Sequence, residues 1–268
     1  MTATAVMNLK GGPGKTTVVN GLAHAAAAAD EDVLIGDVDP QGNTTSHFTG
    51  YNARSLPPQG TLADVLDRRI NRPLEDIVVP AKTRDRIFVA PSGFGEMQAA
   101  ADSLLGVTGG EMSIKRAFKN AKRQGRVLFD TRPAVDFVTR ATMLCADNVL
   151  VVVHPEFDSI EGMESIFQAV ADHYTYTDHE LPVVGVVINL VDGRRADHAE
   201  NVEHIRKYCA AANVPILGDP IPHLTDISRL TNAGLGADQH PKSSATTRWL
   251  AANFRTILTG LDQEVQVS

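Results

Sequence analysis

A glycine-rich loop joins a short apolar strand to an alanine-rich helix near the start of the chain. The run Thr4–Asn8 predicts the strand, Lys15–Ala29 predicts the helix, and the loop between them reads Leu9-Lys10-Gly11-Gly12-Pro13-Gly14. Glycines lack a Cβ atom, so the backbone N–H groups of such a loop can turn inward. The amino terminus of a helix adds partial positive charge at the same place. This order of elements predicts a site that binds phosphate groups.

Two polar side chains at the end of the loop have the types that nucleotide binding needs. We expect Lys15 to reach the β- and γ-phosphates of a nucleotide and the Thr16 hydroxyl to ligate Mg²⁺. Leu9 stands where an ordinary phosphate loop has its first glycine, and Lys10 with a glycine pair follows it. The predicted nucleotide-binding residues of the loop are Gly11, Gly12, Pro13, Gly14, Lys15, Thr16 and Thr17.

The segment Lys10-Gly11-Gly12-Pro13-Gly14-Lys15-Thr16 resembles the deviant Walker A motif of the ParA/MinD superfamily of ATPases. The resemblance implies that Lys10 is the signature lysine, which crosses a dimer interface to the phosphates held by the other subunit. It also implies an ATP-dependent sandwich dimer with Lys10 and Lys15 in catalytic roles. Two facing nucleotides concentrate negative charge, and a lysine from each side offsets it.

Two acids lie at the end of the predicted strand Asp32–Asp37: Asp37 is its last residue, and Asp39 follows just after it. Asp37 and Asp39 are two residues apart, so their side chains share a face of an extended chain. The segment Asp37-Val38-Asp39-Pro40-Gln41-Gly42-Asn43 resembles switch I of the superfamily. By that resemblance Asp39 is the catalytic residue that positions the hydrolytic water, and Asp37 supports the Mg²⁺ shell.

A third acid ends the predicted strand Arg126–Asp130. We expect Asp130 to hold the hydration shell of Mg²⁺, as an acid at the carboxyl end of such a strand can. The superfamily usually continues with two prolines, whereas this chain has Arg132 before Pro133. The sequence leaves open whether Arg132 acts beside the γ-phosphate or points to solvent, and it favours solvent.

Two further positions relate to the base of the nucleotide. Asn189 ends a predicted buried strand, and a side-chain amide can both donate to and accept from an adenine edge. In relatives an Asn at this place reads adenine, and Pro222 resembles the residue that packs beside the same base. An Asn at the end of a strand is also ordinary turn chemistry.

The distribution of apolar residues predicts an α/β fold with a doubly wound, mostly parallel sheet flanked by helices. Residues 1–268 are expected to form a single P-loop ATPase domain of deviant Walker type. The predicted strands are Thr4–Asn8, Asp32–Asp37, Arg86–Ala90, Arg126–Asp130, Asn148–His154 and Pro182–Asn189. The predicted helices are Lys15–Ala29, Thr61–Arg69, Phe94–Leu105, Glu111–Arg123, Ala134–Cys145, Ser159–Tyr174, Asp197–Ala212 and Ser243–Leu261. Surface loops are expected at Gly50–Gly60 and Gly234–Ser244.

Composition narrows the class of function. The formal net charge of −7 argues against a protein coated in positive charge but permits a local basic patch. Cys145 and Cys209 stand far apart, so neither a disulfide framework nor a metal-cluster carrier is indicated. Without a predicted membrane span or signal peptide, we expect a soluble, cytoplasmic protein. The resemblance to the ParA/MinD superfamily implies that it associates with the nucleoid when ATP is bound. The nine histidines are interpreted as surface residues.

Within the superfamily, the sequence favours an ATPase of DNA partition. The small ParA/Soj type is the nearest resemblance, and it implies non-specific DNA binding, a ParB-like centromere-binding or adaptor partner and homodimerisation on ATP binding. The candidate DNA-binding residues are Arg194, Arg195, Arg229, Lys242 and Arg248. The alternative is a MinD-like or cargo-positioning ATPase, which acts at a membrane or on a protein assembly. The pattern of the last helix, Ser243–Leu261, favours packing in the core over lying on a membrane. The tail that follows it, Asp262-Gln263-Glu264-Val265, is acidic.

Overall fold

Seven strands form one sheet in the computed structural model, which describes residues 2–70 and 72–263. The strands are β1 (Ala3–Met7), β2 (Val33–Asp37), β3 (Val79–Pro80), β4 (Ile87–Ala90), β5 (Arg126–Asp130), β6 (Asn148–Val153) and β7 (Val183–Ile188). Their order is β3-β4-β2-β5-β1-β6-β7, and only β3 runs antiparallel to its neighbour. The mostly parallel, doubly wound sheet that the sequence predicts is confirmed. All six predicted strands are present to within one residue at each end.

Strand β1 lies at the centre of the sheet, where the direction of winding reverses. It pairs in parallel with β5 on one side and with β6 on the other. In open α/β sheets, ligands bind outside the carboxyl ends of the strands at such a reversal. The loop that follows β1 therefore begins at the place where the fold leaves a crevice.

Helices cover both faces of the sheet. They are α1 (Lys15–Ala28), α2 (Asn43–Thr49), α3 (Leu62–Leu66), α4 (Leu74–Ile77), α5 (Glu96–Leu104), α6 (Ser113–Ala117), α7 (Ala121–Gln124), α8 (Phe137–Cys145), α9 (Ser159–Thr177), α10 (Ala196–Ala211), α11 (Thr225–Asn232) and α12 (Ala245–Leu261). Strand β5 shows why both faces need cover: Leu128 packs into the core on one side, while Val127 and Phe129 pack into the core on the other. Strands buried on both faces account for the continuous apolar runs in the sequence.

Three helices and one strand were not predicted. Helix α2 is rich in Thr and Ser, which are mediocre helix formers, so its helical state depends on tertiary contacts. Helix α4 and strand β3 are too short to show a pattern, and α11 is amphipathic but only eight residues long. The predicted helix Glu111–Arg123 is wrong as a single helix. It is divided into a 3₁₀ turn, α6 and α7, and α6 ends where Phe118 inserts against Phe129 at 4.8 Å between ring centroids.

The last helix packs in the core, as predicted. In α12, Leu250, Phe254 and Ile257 are buried, and the Phe254 ring lies directly over Gly21 of α1. Across residues 2–70 and 72–263, no helix is both long and apolar enough to cross a bilayer. The acidic tail predicted to follow α12 includes Glu264 and Val265, which lie outside the described residues.

Several histidines and both cysteines are core residues. His24, His173 and His198 are buried, so the interpretation of all histidines as surface residues is wrong for these three. Cys145 and Cys209 are buried and unbonded, and burial raises the pKa of Cys145 to about 12 and that of Cys209 to about 11. Thiols of this kind are structural and unreactive.

Candidate functional site

The glycine loop after β1 adopts a conformation that only glycine takes without strain. Gly12 has φ 90° and Gly14 has φ 82°, both in the left-handed region. A Cβ atom on Gly14 would lie 2.3 Å from Nδ2 of Asn189. A Cβ atom on Gly11 or Gly12 would meet nothing within 4 Å, so the loop opens onto space in front of α1. A phosphate group fits that space beside the amino terminus of a fourteen-residue helix.

Lys15 is the buried cation of this loop. Its ammonium group donates to the main-chain oxygen of Asn8 at 3.3 Å. Burial lowers the pKa of Lys15, and the nearby carboxylates of Asp130 and Asp39 oppose that effect. A cation that has lost water on burial binds a phosphate oxygen strongly, because less hydration is given up when the anion arrives.

Asn8, which the sequence did not single out, is the residue that shapes this loop. Its Oδ1 accepts the main-chain N–H of Lys10, and its Nδ2 donates to the main-chain oxygen of Val152 in β6. It thereby ties the phosphate loop to the neighbouring strand. The signal for this role in the sequence is an Asn at the last position of the predicted strand Thr4–Asn8, directly before the glycine loop.

Asp37 and Asp130 face each other across the β2–β5 pair, where they are direct register partners. Both are buried, and burial raises the pKa of each, well above the ordinary range for Asp37, where Asp130 adds to the effect. Two buried carboxylates side by side are costly without a cation. The structure thus brings together two of the three predicted metal residues.

Hydroxyl groups hold these carboxylates in place. Asp130 accepts from the hydroxyl of Thr16, the third predicted metal residue, at 2.7 Å and from that of Thr44 at 2.6 Å. Asp37 accepts from both the N–H and the hydroxyl of Thr45 at 2.7 Å, while its Oδ1 is buried and has no partner within the described chain. An acid pair with one unsatisfied oxygen beside a phosphate cradle is a donor set that suits Mg²⁺. Thr44 and Thr45 were missed because they follow switch I in an unpredicted helix.

Asp39 lies half-buried at the turn after β2. Its Oδ1 accepts the N–H of Gln41 at 2.9 Å, and its main-chain oxygen accepts the Ser92 hydroxyl at 2.7 Å. These bonds fix the turn so that the carboxylate remains near Lys15. The geometry is compatible with the predicted role in positioning water, which stays a prediction.

Asn189 and Pro222 lie on adjacent segments, as the predicted base contacts require. Val191, two residues after Asn189, pairs with Pro222 in an isolated parallel bridge. Asn189 is fully buried and its Nδ2 donates to the main-chain oxygen of Pro13 at 2.8 Å. Its Oδ1 has no partner within the described residues. The amide therefore supports the phosphate loop directly, and its reading of adenine stays a prediction.

Lys10 points away from its own phosphate loop. Its ammonium group donates to the main-chain oxygen of Asp158 at 2.8 Å and forms an ion pair with the Asp158 carboxylate. The aliphatic part of Lys10 passes over Gly162, where a Cβ atom would lie 3.6 Å from its Cε. The start of α9 thus binds Lys10 within the same chain.

Arg132 is held by its neighbours. It forms an ion pair with Asp136 at 2.6 Å and donates to Oε1 of Gln98 at 3.1 Å. Asp136 also caps α8 by accepting the N–H of Thr139. The side chain is 28% exposed, so it is a partly buried structural cation and not the solvent-directed group that the sequence favours.

The five candidate DNA-binding residues differ in what they contact. Arg194 pairs with Asp192, Arg195 with Glu156 and Asp197, and Arg229 with Asp226. Within residues 2–70 and 72–263, Lys242 and Arg248 have no carboxylate partner, and both are exposed near the start of α12. The role of all five stays a prediction.

A histidine cluster lies beside this region. His154, Glu156 and His198 place one ligand atom each within 4.8 Å of the others. Nδ1 of His198 accepts the N–H of Asp192 at 3.0 Å, so the ring proton lies on Nε2, which faces Glu156. A ring bound through Nε2 to a metal would place its proton against that N–H. The cluster is therefore a hydrogen-bonded tie between the turn before α9 and α10.

Comparisons with known proteins agree with this geometry. The AAA domain family (AAA_31) matches residues 1–183. The chromosome-partitioning ATPase Soj of Thermus thermophilus is 30% identical over 193 residues, which are 71% of this chain and 70% of Soj. An ATP complex of McdA from Cyanothece has a TM-score of 0.81 at 20% identity, covering 99% of both chains. Cobyrinic acid a,c-diamide synthase from Mycobacterium smegmatis, with bound ADP and magnesium, has a TM-score of 0.73 at 24% identity, covering 87% of this chain and 91% of that one. The chain belongs to the ParA/MinD superfamily of P-loop ATPases.

Proposed function

We propose that this protein is a single-domain ATPase of DNA partition, in which ATP drives dimerisation and hydrolysis reverses it. One observation carries the proposal. The loop holds two lysines, and Lys15 lies at the phosphate cradle while Lys10 lies outside it on the first turn of α9. A second lysine that does not serve its own cradle is suited to serve the cradle of a facing copy.

ATP and Mg²⁺ are the cofactors. Gly11–Thr17 would hold the phosphates, and Thr16, Asp37 and Asp130 would hold Mg²⁺ or its water ligands. Bound Mg²⁺ supplies positive charge that offsets the charge developing on the phosphate oxygens. Lys15 binds the β- and γ-phosphates, Lys10 of the partner copy adds a second cation, and Asp39 orients the water that attacks the γ-phosphate in line. Asn189 and Pro222 border the base.

Intrinsic hydrolysis is expected to be slow. Arg132 lies two residues after Asp130, one of the proposed Mg²⁺ residues. Its guanidinium group already donates to Asp136 and Gln98, so it is not free to contact the γ-phosphate. An arginine that stabilises the transition state typically raises turnover by about 10³-fold or more. A ParB-like partner that supplies or frees such a group would therefore control how long the dimer lasts.

Non-specific DNA is the proposed ligand of the ATP-bound dimer, which would place the protein on the nucleoid. Two observations support this ligand. The relative Soj of Thermus thermophilus is a chromosome-partitioning ATPase, and Lys242 and Arg248 are exposed cations of this chain. Such binding depends on phosphate contacts and weakens steeply between about 50 and 200 mM salt. The buried face of α12 argues against the MinD-like alternative at a membrane.

A co-sedimentation experiment tests this proposal. ATP-loaded protein is mixed with random-sequence duplex DNA or with anionic liposomes, at low and high salt. We expect salt-sensitive retention on DNA and none on liposomes, and a variant with both Lys242→Glu and Arg248→Glu should lose it. Arg69→Glu is the matched control, because Arg69 is exposed, pairs with Asp67 and is not among the candidate DNA-binding residues. Retention on liposomes alone would overturn the proposal in favour of membrane positioning, and retention on neither would favour a protein cargo.

A further inference from the structure

Arginines that lack an ion pair concentrate at one cavity. Ten of the seventeen arginines pair with a carboxylate within residues 2–70 and 72–263. Three of the other seven line a single cavity of about 460 Å³, the arginine cavity: Arg68, Arg72 and Arg116. Arg68 and Arg72 lie between α3 and α4, and Arg116 lies on α6. No described residue that lines this cavity belongs to the phosphate loop, so ATP binding does not explain the three cations.

The charge of the arginine cavity matches that of a phosphate group. Glu75 is the only acid among the described side chains that line it, so three arginines and one carboxylate leave a net charge of +2. A phosphate monoester carries a charge close to −2 at neutral pH. The planar guanidinium group binds phosphate oxygens through pairs of parallel N–H donors, which makes arginine the preferred cation for such sites. The cavity therefore suits one phosphate group.

Two of these arginines are held in place without using all their donors. Nη1 of Arg72 donates to the main-chain oxygen of Gln59. Nε and Nη2 of Arg116 donate to the main-chain oxygens of Met112 and Gly109. Within residues 2–70 and 72–263, Nε and Nη2 of Arg72 and Nη1 of Arg116 make no hydrogen bond. An anion that binds these donors breaks no ion pair, and the arginines are already partly immobilised, which lowers the entropic cost of binding.

Ser113 adds an unsatisfied hydroxyl group to the wall of the same cavity. Its Oγ is buried and has no hydrogen-bond partner in the part of the chain that the structure describes. A buried hydroxyl without a partner is costly, because it has given up water without gaining a hydrogen bond. A ligand oxygen that reaches it through the cavity would restore that bond.

A second cavity of about 550 Å³, the ring cavity, adjoins the arginine cavity between α4 and α7. The residues that line both cavities are Leu74, Glu75, Ala117 and Asn120. Leu34 of β2 and Phe88 of β4 are register partners, and both are half-buried in its lining. The side-chain amides of Asn120 and Gln124 are exposed there and make no hydrogen bond within the described residues. Apolar side chains beside unpaired amides suit a flat heterocyclic ring, whose faces pack on apolar groups and whose edge can bond to an amide.

We propose that the two cavities form a second small-molecule site, which binds a phosphate monoester of a heterocyclic compound such as a nucleoside monophosphate. The phosphate lies among the three arginines and the ring lies beside Leu34 and Phe88. Glu75, which lines both cavities, accepts from the hydroxyl groups of the sugar between them. Both volumes fall in the range of about 300–1,000 Å³ that is typical of such sites.

This site is separate from the phosphate loop and goes beyond the proposed function. Val33 lines the ring cavity at the amino end of β2, whereas Asp37 of the proposed Mg²⁺ site is at the carboxyl end. At 3.3 Å per residue, the four residues between them span roughly 13 Å. The second ligand therefore occupies the opposite end of the sheet from ATP.

Other anions fit the two cavities less well. Asp32 and Glu75 line the ring cavity, and no Lys or Arg does among the described residues. A chain of phosphates, as in DNA, is therefore repelled where it would leave the arginine cavity. Inorganic phosphate would fill the arginine cavity but leave Leu34 and Phe88 uncovered. One phosphate joined to one uncharged ring satisfies both cavities.

Titration calorimetry with the full-length Lys15→Ala variant tests the proposal, because this variant should not bind nucleotide at the phosphate loop. The probes are the four common ribonucleoside 5′-monophosphates, ribose 5-phosphate and inorganic phosphate. We expect at least one nucleotide to bind at one site per chain, at least tenfold more tightly than ribose 5-phosphate or inorganic phosphate.

Two further substitutions in the same background locate the site. Arg68→Glu reverses a charge that has no ion-pair partner in the described residues, and Asn120→Trp fills the junction of the two cavities from an exposed position. Each should lower the affinity for the nucleotide about tenfold or more. Arg123→Ala is the matched control, because Arg123 is an exposed arginine of α7 that lines neither cavity.

Three outcomes would overturn the proposal: no nucleoside monophosphate binds, ribose 5-phosphate binds as tightly as the nucleotides, or binding survives both Arg68→Glu and Asn120→Trp. Circular dichroism of each variant separates a blocked site from a misfolded protein. ATP affinity of the wild type and of Lys15→Ala, measured in parallel, tests the phosphate loop separately. Failure of the ATPase proposal is thereby distinguished from failure of the second site.

Discussion

The ammonium group of Lys10 lies on Asp158, 148 residues further along the same chain, where it meets both a main-chain oxygen at 2.8 Å and a carboxylate. In the proposed dimer this lysine serves the nucleotide of the facing copy. It cannot occupy both places at once. The contact with Asp158 therefore competes with dimerisation, and its strength sets part of the ATP requirement.

Replacing Asp158 by Asn tests this competition. The variant Asp158→Asn keeps the main-chain acceptor and removes the charge that retains Lys10. The two side chains are 39% and 53% exposed, and an exposed ion pair is worth about 1 kcal/mol at most. We therefore expect the ATP concentration for half-maximal dimerisation to fall up to about fivefold, as measured by sedimentation. Glu161→Gln, an exposed acid on the same helix, is the control, and an unchanged or higher ATP requirement for Asp158→Asn would contradict the competition.

The variant Asp39→Ala separates binding from hydrolysis. Loss of the group that orients water is expected to lower turnover roughly 10²- to 10³-fold while ATP still binds, so the dimer should persist. Phosphate release, ATP affinity and sedimentation measure the three properties. Lys15→Ala is the companion variant, since it should lose ATP affinity outright. Normal hydrolysis by Asp39→Ala, or unchanged ATP affinity of Lys15→Ala, would show that the respective role is wrong.

The sequence predicted the parts of the fold that follow from local chemistry. The six parallel strands were predictable because continuous apolar runs indicate strands that are buried on both faces. The phosphate loop was predictable because closely spaced glycines between a strand and a helix indicate a phosphate-binding turn. Helix α2 was not, since its Thr-rich sequence becomes helical only where Asp37 accepts from Thr45. The contact between Lys10 and Asp158 was not predictable either. It joins the loop after β1 to the loop after β6, which are far apart in the sequence but close in space. The burial of His198 likewise depends on Asp192 and Glu156, which no spacing along the chain reveals.

His24 makes stability depend on pH. Its Nε2 donates to the main-chain oxygen of Gly234 at 3.0 Å, and its ring stacks on Phe48. Burial lowers the pKa of His24 to about 4 from its ordinary value of 6.5. Between pH 6.5 and pH 4, His24 is protonated in the unfolded chain but neutral in the folded chain. Its contribution to the free energy of unfolding is therefore fully present above pH 6.5 and is lost as the pH falls toward 4. The His24 contribution is expected to drop by roughly 2 kcal/mol between pH 7 and pH 5. Denaturant unfolding measures it.

The matched variant for this prediction is His24→Gln, whose amide can donate to the same oxygen but does not titrate. Other histidines with a lowered pKa, His47 and His173 among them, contribute with the same sign in both proteins. The difference between the two proteins therefore isolates His24. Equal loss of stability on acidification in wild type and His24→Gln would contradict the assignment.

Gly21→Ala reports whether α12 packs on α1. A Cβ atom at Gly21 would lie 2.2 Å from the Phe254 ring, so the added methyl group must displace that ring. Overpacking of this kind typically costs about 1–3 kcal/mol. If α12 left the core, as a membrane-binding helix would, the same substitution in the middle of α1 would instead stabilise the protein by up to about 1 kcal/mol through helix propensity. The sign of the change in unfolding free energy thus distinguishes the two placements. Gly193→Ala, where a Cβ atom meets nothing within 4 Å, is the control, and Gly21→Ala with Phe254→Leu should recover part of the loss because the smaller side chain vacates the space.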